Sequence, residues 1–115
     1  MWYMQPHYPW ILHRELSLKL VNEVVWGELS PRDVIGEGLE KKGISQREIV
    51  RAYLSNVEIA LRYASIFLKE IMDMFTGKIV ITSDHGEFLG EYGLYLHHPN
   101  YELPQMCVVP WFEVK

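Results

Sequence analysis

Ser45-Gln46-Arg47-Glu48 is a capping box: the serine hydroxyl and the glutamate carboxylate each satisfy a backbone N–H that an opening helix leaves without a partner. Behind it, Val50, Tyr53, Leu54, Val57, Ala60, Leu61, Ala64, Phe67, Leu68, Ile71 and Phe75 recur at intervals of three and four, and Gly77 stands where a left-handed cap is wanted. The spacing predicts one amphipathic helix roughly 40 Å long at about 1.5 Å per residue. In a chain of 115 residues such a rod is the spine, and everything else must be small enough to pack along it.

The rest of the chain supplies short pieces. The apolar Met1-Trp2-Tyr3-Met4-Gln5 reads as a strand that breaks at Pro6 and Pro9. Leu12, Leu16, Leu20 and Val24 fall on one helical stripe between Ile11 and Trp26, and Ser30-Pro31-Arg32-Asp33 caps a short helix that Gly36 and Gly38 should end early. Lys78 to Thr82 is β-branched without alternation, the pattern of a strand buried on both faces. Ser83 to Asn100 reads as a long loop, and Cys107 to Val114 as a final strand. The predicted fold class is α/β, a single domain over residues 1–115 with a small sheet of about three strands and one long helix packed on it.

Composition narrows the function classes. Apolar residues make up 49% and charged residues 23%, the balance of a folded domain. Eleven Lys and Arg against fifteen Asp and Glu leave a formal charge of −4 without a basic run, which argues against a nucleic-acid partner. No apolar stretch approaches the roughly 20 residues that cross a bilayer, and no signal core opens the chain, so the reading is cytoplasmic with no membrane partner. Cys107 is the single cysteine and reads as an inert buried thiol.

Chemistry concentrates in Ser83-Asp84-His85-Gly86-Glu87, directly after the predicted buried strand, at the sheet edge where open α/β proteins bind ligands. Asp84 and His85 together offer the hard oxygen and borderline nitrogen donors that suit zinc, manganese or iron. The longer stretch I-V-I-T-S-D-H-G-E-F-L-G-E-Y-G-L-Y-L-H-H-P, followed by V-P-W-x-E-V, resembles the signature of the alkaline phosphatase and sulfatase superfamily. Pro6-His7-Tyr8-Pro9 resembles the family's P-H-x-P stretch, and the long helix with Tyr53 and Asn56 resembles the helix that precedes its D-H-G strand.

The resemblance implies a partial alkaline-phosphatase-like sandwich. It implies that Asp84 and His85 are the pair on a divalent metal (zinc, manganese or calcium, in a partial site), that His98 is a further metal ligand or anion contact, and that His7 touches the sulfate or phosphate group. Of His97 and His98, the proline spacing favours His98 and leaves His97 facing solvent; Glu87 and Glu91 read as supporting or surface residues. The family's D-D or D-x-x-x-D metal strand and its nucleophile, a Ser, a Thr or the cysteine of C-x-P-x-R, have no match in the chain. The expectation is a carboxyl-terminal piece of a sulfatase-like hydrolase of sulfate or phosphate esters, inactive alone. Its expected partners are a companion chain carrying the missing half or further copies of itself, with Trp2, Tyr3, Trp10, Trp26 and Trp111 as contacts. The competing class is a non-catalytic oligomeric or interaction module derived from that fold.

Overall fold

A computed structural model describes residues 6, 7, 9–22, 36–97 and 102–115. The predicted strand at Met1, the helix start at Ser30, the position of His98 and the contact candidates Trp2, Tyr3 and Trp26 lie outside these residues. In chain order the elements are α1 (Arg14–Val21), α2 (Gly36–Lys41), α3 (Gln46–Ile71), β1 (Val80–Thr82), β2 (Phe88–Leu89), β3 (Tyr95–Leu96), α4 (Pro104–Cys107) and β4 (Trp111–Glu113). The architecture is mixed α/β, with one dominant helix and short antiparallel strands.

Helix α3 begins as the capping box requires. The Glu48 amide donates to Ser45 Oγ at 3.3 Å, and the Ser45 amide donates to Glu48 Oε2 at 3.0 Å. Gly43, at φ +69°, takes the left-handed turn that lets α2 close and α3 start at once. At its far end α3 stops at Ile71 and tightens into one 3-10 turn over Met72–Met74, short of Gly77, whose φ is not positive. The Lys115 ammonium donates to the Met72 and Phe75 carbonyls at 2.9 and 2.8 Å, so a cation from the chain end satisfies carbonyls that the helix end leaves open.

The core sits at the capped end. Trp10, Leu20, Leu39, Ile44, Ile49, Ala52 and Tyr95 form one buried cluster, with Leu16 and Leu96 packed against it. Trp10 is 2% exposed, which removes it from the surface contacts expected of the aromatics. Helix α1 starts later than the leucine stripe suggests, because Leu12 belongs to the exposed turn before it, and Val24 lies outside the described residues. Gly36 and Gly38, expected to end a helix, both lie within α2, which continues to Lys41 and buries Leu39 in the core.

The strands are distributed over two ladders. β1 pairs antiparallel with β4, Val80 opposite Glu113 and Thr82 opposite Trp111. β2 pairs antiparallel with β3, Phe88 opposite Leu96 and Leu89 opposite Tyr95. β1 is half-buried and not covered on both faces, with Thr82 exposed. The predicted final strand keeps only Trp111–Glu113: Cys107 ends α4, which Pro104 opens, and Pro110, with no N–H to give to a ladder, stands directly before β4. Cys107 closes α4 and is exposed, so it is not a buried thiol.

Candidate metal and anion site

A hairpin builds the centre of the site. Gly90 at φ +117°, Tyr92 at +57° and Gly93 at +71° turn the chain over Gly90-Glu91-Tyr92-Gly93. The turn is tied by Gly90 N to Leu94 O at 2.8 Å and by the Leu89 amide to Glu91 Oε2 at 2.7 Å. With Phe88 opposite Leu96, the next step along the ladder sets Glu87 across from His97. The His97 Nδ1 and Glu87 Oε1 atoms stand 3.6 Å apart. His7 arrives from the other end of the sequence, its ring centroid 4.9 Å from that of His97. One ligand atom from each of His7, Glu87 and His97 lies within 4.8 Å of the others.

Glu87 is the unusual member of the group. Its side chain is 7% exposed, and its Oε1 has no hydrogen-bond partner among the described residues. Burial pushes its pKa above the ordinary carboxylate range, opposed by the neighbouring His7 and His85. Tyr53 on α3 lines the same cleft, and burial together with the Glu87 charge raises its phenol pKa. Two imidazoles and one carboxylate form a donor set that tetrahedral zinc accepts, leaving a fourth position open. At up to 4.8 Å apart, the ligand atoms stand wider than the roughly 3.4 Å between ligands about 2.1 Å from a tetrahedral ion, so the side chains would have to draw together around it. A buried carboxylate oxygen without a donor is the kind of group that a cation stabilises. The residues therefore fit a divalent metal.

Asp84 and His85 occupy the predicted place, immediately after β1, but divide their roles. Asp84 is 57% exposed, and its Oδ1 accepts the His85 amide at 3.0 Å. The His85 Nδ1 lies 2.7 Å from the Gly86 carbonyl, and its ring centroid is 4.7 Å from that of His97. The structure thus brings His7, His85, Glu87 and His97 together along one cleft of about 900 Å³, with Asp84 at its edge. His97, read as solvent-facing, and Glu87, read as a supporting or surface residue, stand together in this group, while His98 lies outside the described residues. The signal for the His97–Glu87 approach was G-E-Y-G, which makes the expected loop into a hairpin.

Away from Thr82 and Ser83 the rest of the cleft is lined by apolar side chains, among them Val57, Ala64, Phe67 and Ile71 of α3 and Ile79 and Ile81. Among the described residues, no helix is long and apolar enough to cross a membrane.

No protein-family model matches the chain, and no solved structure does. The chain is 43% identical over 56 residues to phosphoethanolamine transferase EptA of Escherichia coli O157:H7 and of Escherichia coli strain K12, a stretch covering 46% of this chain and 10% of each relative. To the Salmonella typhimurium LT2 protein of the same name it is 37% identical over 67 residues, 56% of this chain and 12% of the relative. The chain spans about a tenth of the length of the curated relatives it matches. These relatives are sulfatase-like members of the alkaline phosphatase superfamily, and the chain is similar to that superfamily both in its motifs and over the stretch it shares with them.

Proposed function

We propose that the chain contributes the His7, Glu87 and His97 part of a metal and anion site to a sulfatase-like enzyme that transfers or hydrolyses a phosphate ester, with the nucleophile supplied from outside this sequence. The observation that carries the reading is the convergence of these three side chains around a buried carboxylate oxygen without a hydrogen-bond donor. The name of the relatives favours phosphorus over sulfur as the reacting centre.

A bound divalent cation would supply Lewis-acid polarisation of the ester oxygens. His7, Glu87 and His97 would hold it, with Glu87 the hard anionic donor. His85 lines the same cleft with its Nδ1 turned to the Gly86 carbonyl, so Nε2 is the ring atom left to face a substrate or an ion. Asp84 orients His85 by accepting its backbone amide. Zinc, manganese and calcium are the candidate ions, and the two imidazoles favour zinc.

Zinc titration of the chain and its single variants tests the assignment. Glu87→Gln and His97→Ala should each weaken zinc binding at least tenfold, while Asp84→Asn changes it by less than threefold (expected fold-changes on the order of those seen when one ligand is lost). If Asp84→Asn abolishes binding and Glu87→Gln does not, the D-H pair holds the ion and the triad does not.

A further inference from the structure

We propose that Asn56 is the positioning residue that places His7 in the Glu87–His97 group, an inference that rests on the metal reading above. Asn56 is fully buried on α3, yet its side-chain amide is engaged on both ends. Its Oδ1 accepts from the Ile11 amide at 3.0 Å. Its Nδ2 faces three carbonyls, those of His7 at 3.0 Å, Pro9 at 3.3 Å and Pro6 at 3.4 Å. A single side chain therefore grips the backbone on both sides of His7, across 49 residues of sequence.

The chemistry of the segment explains why an asparagine stands here. Pro6 and Pro9 have no N–H, so the turn cannot be held by a regular ladder, but its carbonyls still need donors. Asparagine supplies two donor hydrogens and an acceptor from one short side chain. Aspartate would set acceptors against acceptors, and leucine, of similar shape, would leave every one of these backbone groups unpaired. The grip is mounted on a rigid base, since Tyr53, one turn earlier on α3, lines the cleft that holds Glu87. Asn56 thus ties the frame of His7 to the frame of the hairpin without touching the metal position itself.

A second anchor on the same segment provides the control. Ser17 Oγ accepts from the Trp10 amide at 2.8 Å and donates to the Trp10 carbonyl at 3.2 Å, holding the turn farther from His7. Two readouts on the whole chain separate positioning from general stability: the nuclear Overhauser contact between the His7 and His97 rings without metal, and zinc affinity by competition with a chromophoric chelator. In Asn56→Asp the ring contact should disappear and zinc affinity fall on the order of 10- to 100-fold, while helix content by circular dichroism is kept. Ser17→Ala should keep the ring contact and bind zinc within about twofold of the parent, a change smaller than loss of a supporting partner produces. Should Asn56→Asp fail to fold, Asn56→Ser, which leaves room for water at the four backbone groups, carries the same comparison. A folded Asn56 variant that keeps the contact and the affinity overturns the proposal, as does an equal loss in Ser17→Ala or a loss of fold in both Asn56 variants. If the parent itself binds no zinc, the metal reading falls and the ring contact alone decides the role of Asn56.

Discussion

Gly86 and Gln105 meet backbone to backbone: a Cβ on Gly86 would collide with the Gln105 carbonyl, and the Gly86 amide donates to the Met106 carbonyl at 2.8 Å. The loop carrying His85 and Glu87 is thereby pressed against α4. The glycine of D-H-G-E is explained here by this approach, since its φ is not in the left-handed region.

Gly86→Ala should therefore destabilise the chain by about 1–3 kcal/mol, the usual cost of forcing a methyl group into a packed site. The obstruction is backbone, which cannot rotate away as a side chain would. Urea unfolding of the two chains measures the difference, and an unchanged midpoint would show that the loop and α4 separate freely.

The capping box gives an acid dependence with a definite sign. The hydrogen bonds from the Ser45 side chain and then from its backbone amide lower the Glu48 pKa below its ordinary value of 4.5. The unfolded chain then takes up this proton before the folded one does, so the contribution of Glu48 is present above the ordinary value and is lost as pH falls through the depressed one. The parent should be more stable than Glu48→Gln near neutral pH, and the gap should close in acid. Unfolding midpoints followed from neutral pH downward check this, and a gap that widens in acid would contradict the assigned cause.

What could be read from the sequence follows the range over which each signal acts. The capping box and the three-four repeat are local, so α3 was legible to within a turn at its start. Its end was not, because Ile71 to Phe75 continues the apolar rhythm while the backbone tightens into a 3-10 turn. The β2–β3 hairpin was missed because two-residue strands are too short to show alternation. Pairing His97 with Glu87 depends on a turn containing Tyr92, a non-glycine residue at positive φ, which composition does not announce. His7 was singled out by the resemblance of Pro6-His7-Tyr8-Pro9 to the family's P-H-x-P stretch, but its backbone is held by Asn56, about 50 residues away. Long-range hydrogen bonds of this kind leave no periodic trace.

The chain alone should not turn over aryl phosphate or aryl sulfate esters above background, with zinc, manganese, calcium or magnesium added. His7, Glu87 and His97 can hold a cation, but the sequence has no match to the family's nucleophile motifs, and loss of a nucleophile costs many orders of magnitude in rate. Turnover that disappears in Glu87→Gln would contradict this and show that the site within these 115 residues suffices for the reaction.

The exposed aromatic strand leads to an expectation about assembly, and the occupant expected on it is a second copy of the chain. Trp111 and Phe112 on β4 are 71% and 63% exposed, and Val108 just before them is exposed as well. Among the described residues β4 pairs only with β1, so an antiparallel ladder of two strands presents aromatic side chains beside an open strand edge. An open edge is a template for further pairing, and each aromatic can bury about 150–250 Å². A two-fold axis at that edge would extend the ladder from one copy into the next and cover both aromatic sets at once. Ordering and association costs consume part of the gain, so a dimer that dissociates on dilution is expected, not a permanent one. Sedimentation at micromolar concentration should show a species larger than the 13.6 kDa monomer. The double variant Trp111→Ser, Phe112→Ser should shift the population to monomer without loss of helix content, because neither side chain belongs to the core. A parent chain that stays monomeric across that concentration range would rule out β4 as a self-association surface.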